Sequence, residues 1–140
     1  MAVTAARGLY TPEILAAATA LANWPWEPSL PLQGEARSRS CGSGIALALD
    51  IAEDGTITRL GLRPHACAVG QAAAHVFAQS AIGRSRADIA EGRQQIDDWL
   101  KGDGPLPDWP GIALIAPAQA YPARHGAIVL AWDAALAALS

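Results

Sequence analysis

Cys41-Gly-Ser-Gly-Ile45-Ala-Leu-Ala-Leu-Asp-Ile51 runs into the turn Glu53-Asp-Gly55, returns as Thr56-Ile-Thr-Arg-Leu-Gly-Leu62 and ends on Arg63-Pro-His-Ala-Cys67. Ile45, Leu47, Leu49 and Ile51 alternate with smaller or polar neighbours, and Thr58, Leu60 and Leu62 do the same on the return. This period of two marks half-buried strands. The Asp54-Gly55 pair tolerates the unusual backbone angles of a tight hairpin. In an antiparallel pair of similar strand lengths, the residue before the first strand lies close to the residue after the second. Cys41 and Cys67, the two cysteines of the chain, are therefore expected to meet in space. Two cysteines do not fill a tetrahedral metal site, so a metal would need further ligands or a second subunit.

Before the hairpin, Thr11-Pro12-Glu13 predicts a helix start, because threonine caps, proline suits the first helical position and an early glutamate faces the positive end. The helix runs through Ile14, Leu15, Ala18 and Leu21 and stops near Asn23. Trp24-Pro-Trp-Glu-Pro28 then forbids regular helix and lays two indoles over the hairpin or the helices. Leu30 to Arg39 supplies a first strand with Leu32 and Ala36 inward. After Cys67, an alanine-rich helix is expected from Ala68 to Ser80 with Val76 and Phe77 as its larger anchors. Ser85 and Asp88 open another, running through Ile89, Ile96, Trp99 and Leu100. The segment Gly102 to Pro107 reads as a loop with Trp109 pinning it, and Ile112 to Ala116 as a short helix ended by Pro117. A terminal helix begins around Pro122 or Ala123. The elements sum to an α+β domain, a small mostly antiparallel three-stranded sheet packed against helices.

The 140 residues fit one domain spanning 1–140, with residues 1–10 a flexible N-terminus. A formal charge of −3 argues against a nucleic-acid binder that relies on a broad basic field. Met1 to Leu9 carries one arginine and no long apolar run, so neither a secretory signal nor a membrane anchor is expected there, and no run approaches about twenty uninterrupted apolar residues. A cytoplasmic protein is expected, one with no membrane partner, whose cysteines stay reduced.

The glycines around Cys41 let a backbone or ligand approach closely, and Arg37, Arg39 and Arg63 place positive charge nearby. Cys67 precedes a helix, whose first backbone donors suit an anionic sulfur. A structural turn and a helix-boundary cysteine, both filling a core, account for the same local sequences. His65 and His125 are imidazoles of the kind that ligate metal beside thiolates, whereas His75 sits inside the alanine-rich helix. No orienting acid or amide completes a Cys–His hydrolytic pair, and neither a phosphate loop nor a dinucleotide glycine pattern is present. None of these readings calls for an enzyme.

Taken together, the first helix, Cys41-Gly-Ser43 before a hairpin, Cys67 after it and before an alanine-rich helix, and Pro122-Ala-Arg-His125 leading into Leu130-Ala-Trp-Asp-Ala-Ala-Leu136 resemble the NifU/IscU/SufU family of iron–sulfur cluster assembly scaffolds. The resemblance spans roughly Thr11 to Leu139. In that family a Cys-Gly-Asp segment supplies a cysteine and an aspartate, a second segment another cysteine, and the start of the last helix a third. Here Cys41 and Cys67 match the first two cysteines, Ser43 replaces the aspartate, and Ala127 falls on the third cysteine. Arg124 matches the basic position before the last ligand segment. Gly126 falls where some members carry histidine, with His125 one position earlier, so the ligand set is degenerate.

The resemblance implies a scaffold that binds iron or a transient iron–sulfur cluster and hands it to acceptors. Cys41, Cys67 and His125 would be its ligands and Ser43 and His65 weaker candidates, with Arg63 and Arg124 as electrostatic support. A cysteine desulfurase and cluster acceptors are the implied partners, and a homodimer would let two copies share one cluster. The alternatives are a cluster-free adaptor on the same fold and a structural or regulatory domain holding zinc.

Overall fold

The computed structural model describes residues 9–39 and 42–140. Helix α1 spans Pro12–Ala20, and the Thr11 hydroxyl accepts the Ile14 backbone N–H at 3.1 Å. This satisfies one of the donors that a helix start leaves without an intrahelical partner. A 3-10 turn over Leu21–Asn23 closes the element where the sequence places its end. The flexible segment expected over residues 1–10 lies outside the described residues except for Leu9, which is buried, and Tyr10, which packs on the core.

Three strands form one antiparallel sheet in the order β1 (Leu32–Arg37), β2 (Gly44–Ile51) and β3 (Ile57–His65). Its inner face buries Ile45, Leu47 and Leu49 together with Leu60 and Leu62. Two inward assignments change. Asp50 pairs with Arg59 and Ile51 with Ile57, so Thr58 is the extra residue of a bulge and the strand's phase slips there. Ile57 is therefore buried and Thr58 exposed, the reverse of strict alternation, and Ile51 is exposed as well. Gly55 turns the hairpin with φ +86°, a conformation that favours glycine.

Helix α2 (Ala68–Ala81) packs against α1, and α3 (Arg86–Leu100) follows with both halves of a capping box formed between Ser85 and Asp88. The next segment is 3-10 helix over Ile112–Ala120 and continues through Pro117, where the sequence reading ends it. Proline removes a single donor, so in this short, irregular form it costs one bond and leaves the turn in place. The C-terminal element is also broken. A 3-10 turn at Pro122–Arg124 leads into α4 (His125–Ile128) and α5 (Leu130–Ala138). Val129, at φ −89° and ψ −4°, sits at the shallow edge of the right-handed helical region and separates them.

Helix α5 lies across β1 and β2, and Gly34 makes the approach close. A Cβ at that position would lie 2.1 Å from the Ala134 carbonyl oxygen and 2.6 Å from the Ala138 nitrogen. Phe77, Trp109 and Trp132 meet with ring centroids 5.2 to 5.5 Å apart. The Trp109 indole N–H donates to the Val76 carbonyl at 3.0 Å, and Gly92 leaves room for its ring. Arg93 ties α3 to α5 through Asp133 at 2.7 Å.

The sheet's other face is partly covered by the tryptophan-rich connection. The Leu62 N–H donates to the Trp24 carbonyl at 3.0 Å. A Cβ at Gly61 would lie 2.4 Å from the Pro25 carbonyl oxygen. Ala48 and Gly61, paired across β2 and β3, are consequently buried on what would otherwise be the solvent side. Trp24 meets His75 of α2 edge to face at 5.3 Å, and Trp26 lies beneath the Arg63 guanidinium at 4.3 Å. No described helix is long and apolar enough to cross a membrane.

Candidate functional site

The β2–β3 register converts a sequence distance into a spatial one. Gly44 pairs with His65, so Ser43, just before β2, and Ala66 and Cys67, just after β3, emerge at the same end of the hairpin. The Ser38 N–H donates to the Ser43 carbonyl at 2.8 Å and closes the β1–β2 connection there. The C-terminal segment adds Arg124 from the turn before α4. The result is a cleft of ≈ 210 Å³ lined by Gly42, Ser43, His65, Ala66, Cys67 and Arg124.

Within this cleft Cys67 is the N-cap residue of α2, half-buried and with a free thiol. Its carbonyl accepts the Gln71 N–H at 2.9 Å, holding the residue at the helix entrance. Its sulfur caps no backbone N–H. Ser43 is buried, and Arg124 is half-buried and brings positive charge to the rim. Among the described residues, no carboxylate lines the cleft. A sulfur donor, a hydroxyl and an imidazole are donor types that soft and borderline metals accept, and the guanidinium adds positive charge beside them.

Four of the residues singled out in the sequence thus come together: Ser43, His65, Cys67 and Arg124. Arg63 stands one strand position beyond Pro64, on the sheet's open face. His125 follows Arg124 but does not line the cleft, and its Nε2 lies 2.7 Å from the Gln119 carbonyl oxygen. Because a carbonyl oxygen only accepts, this bond fixes the proton on Nε2 and leaves the Nδ1 lone pair as the nitrogen that could ligate. Cys41 lies outside the described residues; it is the covalent neighbour of Gly42, which lines the cleft. Among the described residues, no three His, Cys, Asp or Glu side chains converge as a metal site.

Ala127 is buried, and its Cβ would be 3.2 Å from a Cβ built on Gly70, in the first turn of α2. The same point lies 3.0 Å from the Ala66 Cβ. Ala127 therefore packs immediately behind the cleft, with a methyl group where the family resemblance aligns a third cysteine. Sequence reasoning did not anticipate the small recess on the sheet's open face that adjoins His65; its signal was the pair of small residues Gly44 and Ala46 between arginine-bearing strands.

No protein-family model matches the chain, and no curated protein sequence matches it. Solved structures do. The N-terminal part of a nitrogen-fixing NifU-like protein from Brucella abortus superposes with a TM-score of 0.86 at 26% identity, over 96% of this chain and 94% of that one. A protein described as an iron–sulfur cluster assembly scaffold for the SUF system, from Fervidobacterium islandicum AW-1, gives a TM-score of 0.83 at 20% identity, over 96% and 98% of the two chains. Three antiparallel strands in one sheet, backed by helices, and superposition over nearly the whole length make this chain NifU/IscU/SufU-like in fold.

Proposed function

We propose that the protein acts as a scaffold in iron–sulfur cluster assembly, holding iron or a nascent cluster as cargo and releasing it to acceptor proteins. The observation that carries this reading is the cleft that gathers Cys67, Ser43, His65 and Arg124 on a fold shared with iron–sulfur assembly scaffolds. Cys41 and Cys67 are the principal ligands. His125, one residue from Arg124 of the cleft, is the third ligand through Nδ1, and Ser43 and His65 are the weaker oxygen and nitrogen donors. Arg124 and Arg63 offset the negative charge of a thiolate-ligated cluster. Two thiolates and weak neighbours hold such cargo loosely, which favours transfer over retention.

The role needs no catalytic turnover by this chain. A cysteine desulfurase supplies sulfur, cluster acceptors take the product, and a homodimer pools two cysteine pairs around one cluster. The protein works in the cytoplasm. Zinc is the competing occupant of the same donor set, because thiolate and imidazole also suit a tetrahedral zinc ion.

One specific observation favours a second reading. Ala127 places a methyl group behind the cleft, where the resemblance aligns a third cysteine. A cluster-free adaptor that uses the scaffold fold to recognise assembly proteins is consistent with that substitution. The ultraviolet–visible spectrum after anaerobic reconstitution with iron and sulfide separates the two. Charge-transfer bands in the wild type that are absent from the C41S/C67S double variant support the scaffold. A featureless wild-type spectrum identical to that of the double variant refutes cluster binding and leaves the adaptor.

A further inference from the structure

The open face of the sheet carries a recess of ≈ 350 Å³ that touches the cysteine cleft at His65. Two rows of residues cross it. In one, Glu35 pairs with Ala46 and Ala46 with Arg63; in the next, Arg37 pairs with Gly44 and Gly44 with His65. Positions two apart on a strand share a face, so the central strand offers a floor of glycine and alanine. The edge strands raise long polar side chains on both sides, and two strand spacings put those walls about 10 Å apart. Glu35, Arg37, Arg63 and His65 are all exposed. Trp26 sits beneath the Arg63 guanidinium at the end where the tryptophan-rich strap crosses the sheet.

The charge is lopsided. Arg37 is held by Glu35 at 3.1 Å, whereas Arg63 has a π-face and no carboxylate partner among the described residues. Within the recess two guanidinium groups stand against one carboxylate, a local positive excess on a chain whose formal charge is −3. A low floor between walls about 10 Å apart admits a main chain lying along the strands, and the two guanidinium groups, Arg63 foremost, select carboxylates on it.

We propose that this recess docks an extended, acidic segment of a partner protein, its carboxylates on Arg63 and Arg37, and so presents that partner beside the Cys67 cleft. The interaction needs no metal. Its test on the metal-free protein is therefore separate from the test of cluster binding, and either idea can fail alone.

The probe is a capped hexaglutamate peptide titrated into the 15N-labelled full chain at low ionic strength, with free glutamate and capped hexalysine in parallel. Saturable amide shifts centred on Gly44, Ala46, Arg63 and His65 are expected with hexaglutamate alone. Arg63→Glu should weaken binding by about tenfold and Arg37→Glu by a smaller factor, while Glu35→Gln, which removes the competing carboxylate, should tighten it by about threefold. The amide spectrum reports whether each variant is folded. Shifts centred on Arg84, Arg86 or Arg93, equal binding of free glutamate, or affinity unchanged in both arginine variants would overturn the proposal.

Discussion

Replacing Gly34 with alanine should destabilise the protein more than any ordinary surface change, because the obstruction is backbone. The new methyl carbon would lie 2.1 Å from the Ala134 carbonyl oxygen, 2.6 Å from the Ala138 nitrogen and 3.2 Å from the Ala134 carbonyl carbon. Ordinary contacts begin near 3.4 Å. No rotamer change relieves the overlap, so α5 must move off β1 by about an ångström or β1 must bend. Overpacking of this kind costs about 1–3 kcal/mol, and the clash with backbone atoms of two helix residues places Gly34→Ala at about 2 kcal/mol or above. With an unfolding entropy of about 2.1 cal/mol/K per residue, 2 kcal/mol lowers the melting temperature of a 140-residue chain by about 7 °C. Urea unfolding followed by circular dichroism should show the midpoint falling by about 1 M at an unchanged slope. A variant within about 0.5 kcal/mol of wild type would refute the packing argument for α5 on the sheet.

The remaining predictions concern protons and ligands. Burial pushes the His75 imidazole below its ordinary value, and its Nδ1 is buried without a partner. The unfolded chain then takes up a proton on acidification that the folded one resists. His75 therefore leaves stability undiminished above the unfolded value near 6.5 and lowers it as the pH falls below that, by at most about 1.4 kcal/mol per unit. Melting curves from pH 7.5 to 5 should show that loss shrinking in His75→Gln, and identical pH profiles for the two proteins would contradict the assignment. In Ala127→Cys a third sulfur enters behind the cleft, so more iron and sulfide should survive desalting after reconstitution. Retention equal to wild type would count against Ala127 as the site of the missing ligand.

The local signals in this chain were readable because they are covalently close. Thr11 caps α1 and Ser85 with Asp88 forms a capping box because each needs only neighbours three residues away. Gly55 turns the hairpin by its own backbone freedom. The bulge at Thr58 was not readable, since Ile57 and Thr58 both favour strand and either can take the inward phase until pairing with Asp50 and Ile51 decides. The covering of Ala48 by the tryptophan-rich strap was hidden for a similar reason. It depends on Gly61 having no side chain opposite Pro25, a contact that no sequence window contains.

Part of the candidate site was readable from strand arithmetic. Strands of similar length bring Ser43 and the stretch from His65 to Cys67 to one end, where they share a cleft, while the expected meeting of Cys41 with Cys67 lies outside the described residues. The entry of Arg124 from the far end of the chain followed only from the family resemblance. His125 shows the limit of spacing arguments. Its distance along the chain from Arg124 is one residue, yet its ring turns to the Gln119 carbonyl and does not line the cleft.

The most direct test of the scaffold reading is protein-bound iron and acid-labile sulfide per monomer, measured after anaerobic reconstitution and desalting of the wild type, C41S, C67S and the double variant. Matched iron and sulfide retained by the wild type, and lost when either cysteine is replaced, is the predicted result. Half a cluster per monomer would indicate that two copies share one. No sulfide above the double variant's background would contradict the scaffold reading, whatever the fold resembles.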